Sequence, residues 1–352
     1  MENESTRPDI MSMSREELTR FVLTLGEPKF RAGQLYKWMH AGRPIGEMTN
    51  LPKTFREKLA RTADYRLPTV VQKLVSKNDG TVKYLFGLTD GECVESVLMK
   101  YEYGSTLCIS SQAGCRMGCK FCASTLSGRV RNLTPSEMLG QVAVAGRDSG
   151  ERIHGVVMMG IGEPLDNYEN VIRFLRLVGD SDGLGIGMRH ISLSTCGIVP
   201  NIRRLADEYI PVTLSVSLHA YDDEKRRELM PIANKYSVAE LLGACRYYFD
   251  KTGRRVSFEY TLIAGKNDSP EDAAALAEVL RQYMGVPSHV NLIMLNEVSE
   301  TGMKTVDRAA AMRFEAELKR HGQNATVRRR LGSDIDASCG QLRLSRLREN
   351  EI

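Results

Sequence analysis

Apolar positions change their period twice along the chain. Leu18, Phe21, Val22 and Leu25 form the i, i+3, i+4, i+7 stripe of a helix, with Ser14 and Glu17 as a capping box before it and Gly26 ending it. The pattern predicts a second helix from Phe30 to His40, carrying the only tryptophan, Trp38, and a third after Leu51-Pro52. Residues 69–100 switch to short strand-like runs, "TVVQKLVS", "TVKYLFGL" and "CVESVLMK", broken by Asn78-Asp79-Gly80 and Asp90-Gly91. That is the pattern of an antiparallel meander with tight turns.

Beyond residue 104 the apolar runs become continuous: "TLCIS", "GVVMMG", "HISLST", "VTLSVSL", "VSFEYTLI" and "HVNLIML". Helical segments are predicted between most of them, one opening on Thr134-Pro135-Ser136-Glu137, others near 168–178, 237–250, 271–284 and 307–321. Strands without alternation are buried on both faces, and alternation with helices predicts βα units on a parallel sheet. The expected fold class is therefore α/β, six units curling into a partial (β/α)6 TIM-like barrel with its site at the carboxyl ends of the strands. Three regions are expected: helical residues 1–66, an antiparallel β extension at 67–103, and a core at 104–352.

Composition narrows the setting. With 42% hydrophobic and 26% charged residues the chain is ordinary for a globular protein. No apolar run approaches the ~20 residues that span a bilayer, and the polar start "MENESTRPDI" lacks a signal peptide's apolar core, so a cytoplasmic protein without a membrane partner is expected. In that compartment the eight cysteines point to metal binding, redox chemistry or buried inert thiols rather than static disulfides. The net charge of +4 is too small to identify a nucleic-acid partner. The tail from Lys319 onward, with Arg328-Arg329-Arg330, Arg343, Arg346 and Arg348, reads either as a solvated face or as a phosphate-contacting patch.

The stretch "CRMGCKFC" places Cys115, Cys119 and Cys122 in a Cys-x3-Cys-x2-Cys array. A structural zinc site is usually closed by four ligands, and no second Cys-x2-Cys knuckle occurs. Three thiolates can instead bind three corners of a four-iron cluster, leaving the fourth iron open. This spacing is the signature of radical S-adenosylmethionine (SAM) enzymes. Downstream, "MMGIGEPLDN" offers Gly160 and Gly162 for close backbone approach and Glu163 to receive an ammonium group, the floor expected for the methionyl amine.

"SSQAGCRMGCKFCAS", "MMGIGEPLDN", "LSTCGIVP", "SVSLHA", "LMPIANKY", "GKNDSP", "VNLIMLN" and "GSDIDASCGQL" occur in this order, after "GEPKFRAGQLYKWM". Together they resemble the RlmN/Cfr family of radical SAM adenine methyltransferases over nearly the whole chain, closer to the C2-methylating branch with dual 23S rRNA and tRNA specificity than to the C8-methylating branch. The resemblance implies a [4Fe-4S] cluster on Cys115, Cys119 and Cys122. It implies SAM binding by Gly162, Glu163, Ser194, Ser217, Leu218, His219 and Asn296. Glu95 matches the family's proposed base, Cys339 its methylated cysteine, and Cys108 the resolving partner. The amino-terminal helices resemble its accessory RNA-binding domain. The implied partners are 23S rRNA at the peptidyl transferase centre, some tRNAs at adenosine 37, and an external electron donor such as flavodoxin; a monomer is expected.

The implied chemistry consumes two SAM molecules per turnover. One methylates Cys339; the other yields a 5′-deoxyadenosyl radical that takes hydrogen from the S-methyl group. The methylene radical adds to adenine, Glu95 takes the ring proton, and Cys108 releases the product as a Cys108–Cys339 disulfide. Cys196, Ser338 and Glu297 depart from residues common in relatives, and none removes a functional side chain. Cys93, Cys196 and Cys245 receive no role. Three alternatives stay open at the level of sequence: C8 methylation, a zinc-stabilised RNA-binding protein, and a radical enzyme acting on a small molecule.

Overall fold

A computed structural model describes residues 7–297, 299–335 and 342–343 of the chain. Cys339 therefore lies outside the described residues. The chain opens with helices α1 (Arg15–Thr24), α2 (Phe30–His40) and α3 (Lys53–Thr62), and the Ser14–Glu17 capping box forms in both directions at the start of α1. The meander follows as β1 (Thr69–Val75), β2 (Val82–Gly87) and β3 (Cys93–Tyr101), antiparallel throughout.

β4 (Gly104–Cys108) leads into a small hairpin, β5 (Gln112–Gly114) and β6 (Arg129–Asn132), and then α4 (Pro135–Ser149). The βα alternation continues through β7 (Ile153–Met158), α5 (Tyr168–Val178), β8 (Ile191–Thr195), α6 (Val199–Asp207) and β9 (Thr213–Ser217). After α7 (Asp223–Leu229) and α8 (Val238–Thr252) come β10 (Val256–Leu262), α9 (Pro270–Tyr283), β11 (Ser288–Met294), α10 (Arg308–Arg320) and β12 (Ala325–Val327).

One sheet of ten strands runs β1-β2-β3-β4-β7-β8-β9-β10-β11-β12, parallel from β4 onward. The meander thus continues the wall of the barrel, and β12 adds a seventh parallel strand to the six expected from the sequence. The helices cover the outer face. On α5 the buried set Val171, Ile172, Phe174, Leu175 and Val178 marks the side turned to the sheet. Each such side chain contributes about 1.5–3 kcal/mol by leaving water.

The amino-terminal helices are fastened to α4 and α5 by polar contacts as well as by apolar packing. Ser136 Oγ donates to Asp9 at 2.6 Å, Arg147 donates to the Gly42 carbonyl at 2.6 Å, and Arg173 donates to the Ser12 carbonyl at 2.9 Å. His40, at the end of α2, is 4% exposed, and neither ring nitrogen has a partner among the described residues. Gly183 makes room for it: a Cβ there would lie 2.6 Å from the ring. Burial pulls His40 down to about 4, with Asp180 opposing. The folded ring stays neutral while the unfolded chain takes up a proton below its ordinary value of about 6.5, so stability falls as the pH drops from about 6.5 toward 4. At pH 5 this costs about 2 kcal/mol. His40→Leu should lose less of its Tm between pH 7 and pH 5 than the wild type; equal losses would show that this ring does not contribute.

Candidate active site

Strand ends converge on one rim of the barrel. Cys108 closes β4, the 159–163 loop follows β7, Ser194 and Thr195 close β8 with Cys196 just beyond, Ser217 closes β9 with Leu218 and His219 just beyond, and Asn296 follows β11. The cysteine array occupies the long connection between β5 and β6. Its turn is set by Gly114, at φ +74°, where a Cβ would lie 1.9 Å from the Gly128 carbonyl oxygen, so only glycine fits. Cys115 N–H donates to that same carbonyl at 2.9 Å, Lys120 N–H donates to the Leu229 carbonyl at 2.9 Å, and Thr125 Oγ1 donates to the Cys122 carbonyl at 2.9 Å. The loop is thereby held over an apolar floor of Leu229, Met230, Ile263 and Leu295.

Cys115 and Cys119 are buried and Cys122 is half-buried. Burial pushes Cys115 up to about 12 and raises Cys119 and Cys122 as well, so the thiols are protonated until a metal replaces the protons. Three thiols on one loop can each bind a different iron of an iron–sulfur cluster. Arg226 adds a second sign of fit. It is fully buried, it acts electrostatically on Cys119, and its Nη1 has no partner among the described residues, which suits an anionic cluster of iron, sulfide and thiolates. The site residues therefore fit the cluster that the motif implies.

Gly162, at φ +108°, lies against Gln112, whose backbone nitrogen would be 2.7 Å from an added Cβ. Glu163 is buried beside it. One carboxylate oxygen accepts from Leu165 N–H at 3.0 Å and the other from Cys196 N–H at 2.7 Å. Burial raises this carboxyl, and those bonds oppose the rise. Glu163 thus braces the β7 loop against the end of β8.

His219 holds a left-handed backbone at φ +59°, a conformation costing about 1–3 kcal/mol that persists where surroundings enforce it. Its Nδ1 accepts from Thr261 N–H at 2.9 Å and its carbonyl accepts from Asn267 at 2.8 Å. Burial lowers the imidazole to about 3, so the ring is neutral with its proton on Nε2. The ring meets Phe121 of the cysteine loop edge-on at 4.7 Å. Ser194 and Ser217 are half-buried at the neighbouring strand ends, and Leu218 is fully buried.

A cavity of about 250 Å³ opens inside the barrel beside Cys108, lined also by Val97, Met99, Met159, Asn296 and Arg328 to Arg330. Leu295 packs with the cysteine loop while its neighbour Asn296 lines this cavity, so one turn separates the two compartments. Cys108 pairs with Val97 across β3 and β4, and Glu95 sits two residues before Val97, so Glu95 and Cys108 share the inward face. Glu95 is 1% exposed, 3.2 Å from Lys83 Nζ, and accepts from Arg343 N–H at 2.6 Å.

The structure brings the predicted residues that it describes to this rim and wall. It adds ones the motif reading passed over. Arg226 donates to the carbonyls of Cys196 at 2.7 Å and of Ser217 and Leu218 at 3.2 Å, tying the β8 and β9 ends together. Its setting, "DDEKRREL", reads as a solvated charged helix, and no sequence signal separates this arginine from its neighbours. Lys83 is passed over in the same way, and Arg343, read within the basic tail as solvated or phosphate-contacting, is instead 3% exposed and donates to the Cys93 carbonyl, Ser127 and Glu92.

Comparison with known proteins agrees with this arrangement. A family model described as the radical SAM superfamily matches residues 109–277, and one described as the ribosomal RNA large subunit methyltransferase N-terminal domain matches residues 8–64. Proteins named probable dual-specificity RNA methyltransferase RlmN are similar over nearly the full length. The one from Lachnospira eligens is 51% identical over 95% of each chain, and the one from Clostridium perfringens strain SM101 is 50% identical over 98% of this chain and 99% of its own. The crystal structure of a radical SAM methyltransferase from Sphaerobacter thermophilus superposes with a TM-score of 0.90 at 41% identity, covering 95% of this chain and 98% of that one. On this likeness the chain belongs to the RlmN family of RNA methyltransferases, within the radical SAM superfamily.

Proposed function

We propose that the protein methylates C2 of an adenosine in 23S rRNA and in tRNA through a methyl group carried on Cys339. The observation that carries the reading is the shared inward face of β3 and β4, which sets Glu95 and Cys108 on one wall, with the cysteine loop across the 295–296 turn. The relatives' names support an RNA substrate of more than one kind, and the ribosomal RNA large subunit methyltransferase model over residues 8–64 supports rRNA as one of them.

A cluster on Cys115, Cys119 and Cys122, with SAM bound among Gly162, Glu163, Ser194, Ser217, Leu218, His219 and Asn296, would supply the electron and the hydrogen-abstracting radical. The chain supplies the rest. The cavity beside Cys108 takes a piece of a nucleotide, so the target adenosine must leave its stack to enter. Arg328 to Arg330 line the approach and present positive charge to the phosphates on either side. Glu95 takes the ring proton, and the unpaired electron left by radical addition would return to the bound cluster that supplied one at the start, so that the adduct is closed-shell. Cys108 then attacks the Cys339 sulfur: the S–S bond forms, the sulfur–carbon bond breaks, and the carbon is protonated to methyl. An external reductant must open the disulfide before the next turnover. Anaerobic reaction with unmodified rRNA and tRNA fragments, followed by nucleoside mass spectrometry, should yield 2-methyladenosine from both; 8-methyladenosine would move the enzyme to the other branch.

A further inference from the structure

The hairpin that joins β3 to β4 carries two tyrosines that the methyl-transfer route leaves unused. Tyr101 pairs with Gly104 across a two-residue turn, and the rings of Tyr101 and Tyr103 lie stacked, 5.0 Å between centroids and 5° from parallel. Tyr103 is 78% exposed, so with one face on Tyr101 its other face stands open to water. The turn is tightly held. Gly104, at φ +123°, leaves no room for a Cβ, which would lie 2.6 Å from His154 Nδ1, and Ser105 N–H donates to that nitrogen at 3.3 Å. A single exposed aromatic residue is ordinary on a protein surface. A stacked pair on a fixed turn, with one ring in the wall of the cavity beside Cys108, is a platform for a third flat ring.

The cavity indicates what that third ring is. Val97, Met99 and Tyr101 alternate along β3 and all line it, so this wall runs from Cys108, paired with Val97, to the hairpin. The distance along the strand from Val97 to Tyr101 is about 13 Å. The cysteine loop lies beyond the carboxyl end of β4, whereas the hairpin sits at the amino end, so the tyrosines stand at the far end of the wall from the cysteines. Arg328, Arg329 and Arg330 line the same cavity and supply the positive charge that a phosphate backbone needs. Unpaired nucleotides are held by this combination, cations on the phosphates and aromatic rings on the bases. We propose that Tyr103, backed by Tyr101, stacks on the base next to the target adenosine in the RNA, holding the strand open while the adenosine occupies the cavity. This rests on the reading of the cavity as the adenosine's pocket. A phenol ring stacks on any base, so the contact positions the strand without reading its sequence, and one platform serves RNAs of different sequence.

The test measures anaerobic binding of a 23S rRNA fragment to the full-length protein, once mass spectrometry has located the target adenosine, with the base on either side of it removed in turn. Losing one base–aromatic stack costs about fivefold to 150-fold in affinity. Tyr103→Ala should therefore raise the Kd for the intact fragment about fivefold or more, while Tyr103→Phe and Tyr103→Trp stay within about twofold of the wild type. One of the two abasic fragments should bind the wild type about fivefold or more weakly than the intact fragment, yet bind Tyr103→Ala no worse than the intact one does. That loss of additivity marks a direct contact, which a structural role of the tyrosine would not produce. The salt dependence of binding should be the same in Tyr103→Ala and the wild type, because no phosphate contact is lost. Methylation of Cys339, a step that precedes the RNA on the proposed route, should be unchanged and reports an intact fold. Equal Kd values for Tyr103→Ala and the wild type, or abasic penalties that add in full to that of Tyr103→Ala, would overturn the proposal while leaving the cavity reading in place. A wild type that binds the fragment yet methylates no adenosine in it would sink the reading of the cavity, and the proposal with it.

Discussion

Cys108→Ala should accumulate RNA joined covalently to the protein. Cys108 lies 5% exposed on the cavity wall, aligned with Val97 and on the same face as Glu95. On the proposed route, removing its sulfur would leave the methyl loading of Cys339 and the carbon–carbon bond formation intact, because neither step uses Cys108. It would remove the group that attacks the sulfur of the adduct, and disulfide exchange needs a thiolate at that point. The expected result is a band shifted on a denaturing gel, approaching one RNA per protein, that disappears with nuclease. Turnover should fall to background. Cys339→Ala should instead keep cluster and SAM binding, give no crosslink and transfer no methyl. Normal turnover by Cys339→Ala would overturn the thioether route.

Replacing Cys115, Cys119 or Cys122 with alanine should each abolish the cluster. The loop offers three thiols, held by the Gly128, Leu229 and Cys122 carbonyls, above an apolar floor. A [4Fe-4S] cluster bound by three cysteines has no spare protein ligand to replace a lost one. Anaerobically reconstituted wild type should be brown with about four irons per chain. Each variant should be colourless, with iron near zero and SAM cleavage lost. Stoichiometric zinc without iron in anaerobically purified wild-type protein would contradict the assignment.

Much of this site was legible in the sequence because its chemistry is written in local spacing. Three cysteines within eight residues, a glycine-rich turn after an apolar run and capping signals such as Thr134 to Glu137 each need only their neighbours to be read. What escaped depends on contacts between distant residues. The β5–β6 hairpin and β12 are too short to carry a period, and α6 and α7 are hidden in turns and charge runs. Lys83, the polar residue of "TVKYLFGL", would face water in an ordinary alternating strand; it faces inward because the meander closes the barrel wall and turns that side to the lumen. Arg226 is read as solvated until α7 folds against the strand ends and its guanidinium meets three carbonyls.

The most direct measurement of the central claim uses SAM whose methyl group carries three deuterium atoms, with unmodified 23S rRNA fragment as acceptor. A methyl group that passes through Cys339 as a methylene radical surrenders one deuterium and regains one hydrogen as the product is released. The account predicts 2-methyladenosine carrying two deuterium atoms, with the third recovered in 5′-deoxyadenosine. Methyladenosine retaining all three deuterium atoms would show a direct polar transfer and contradict the account.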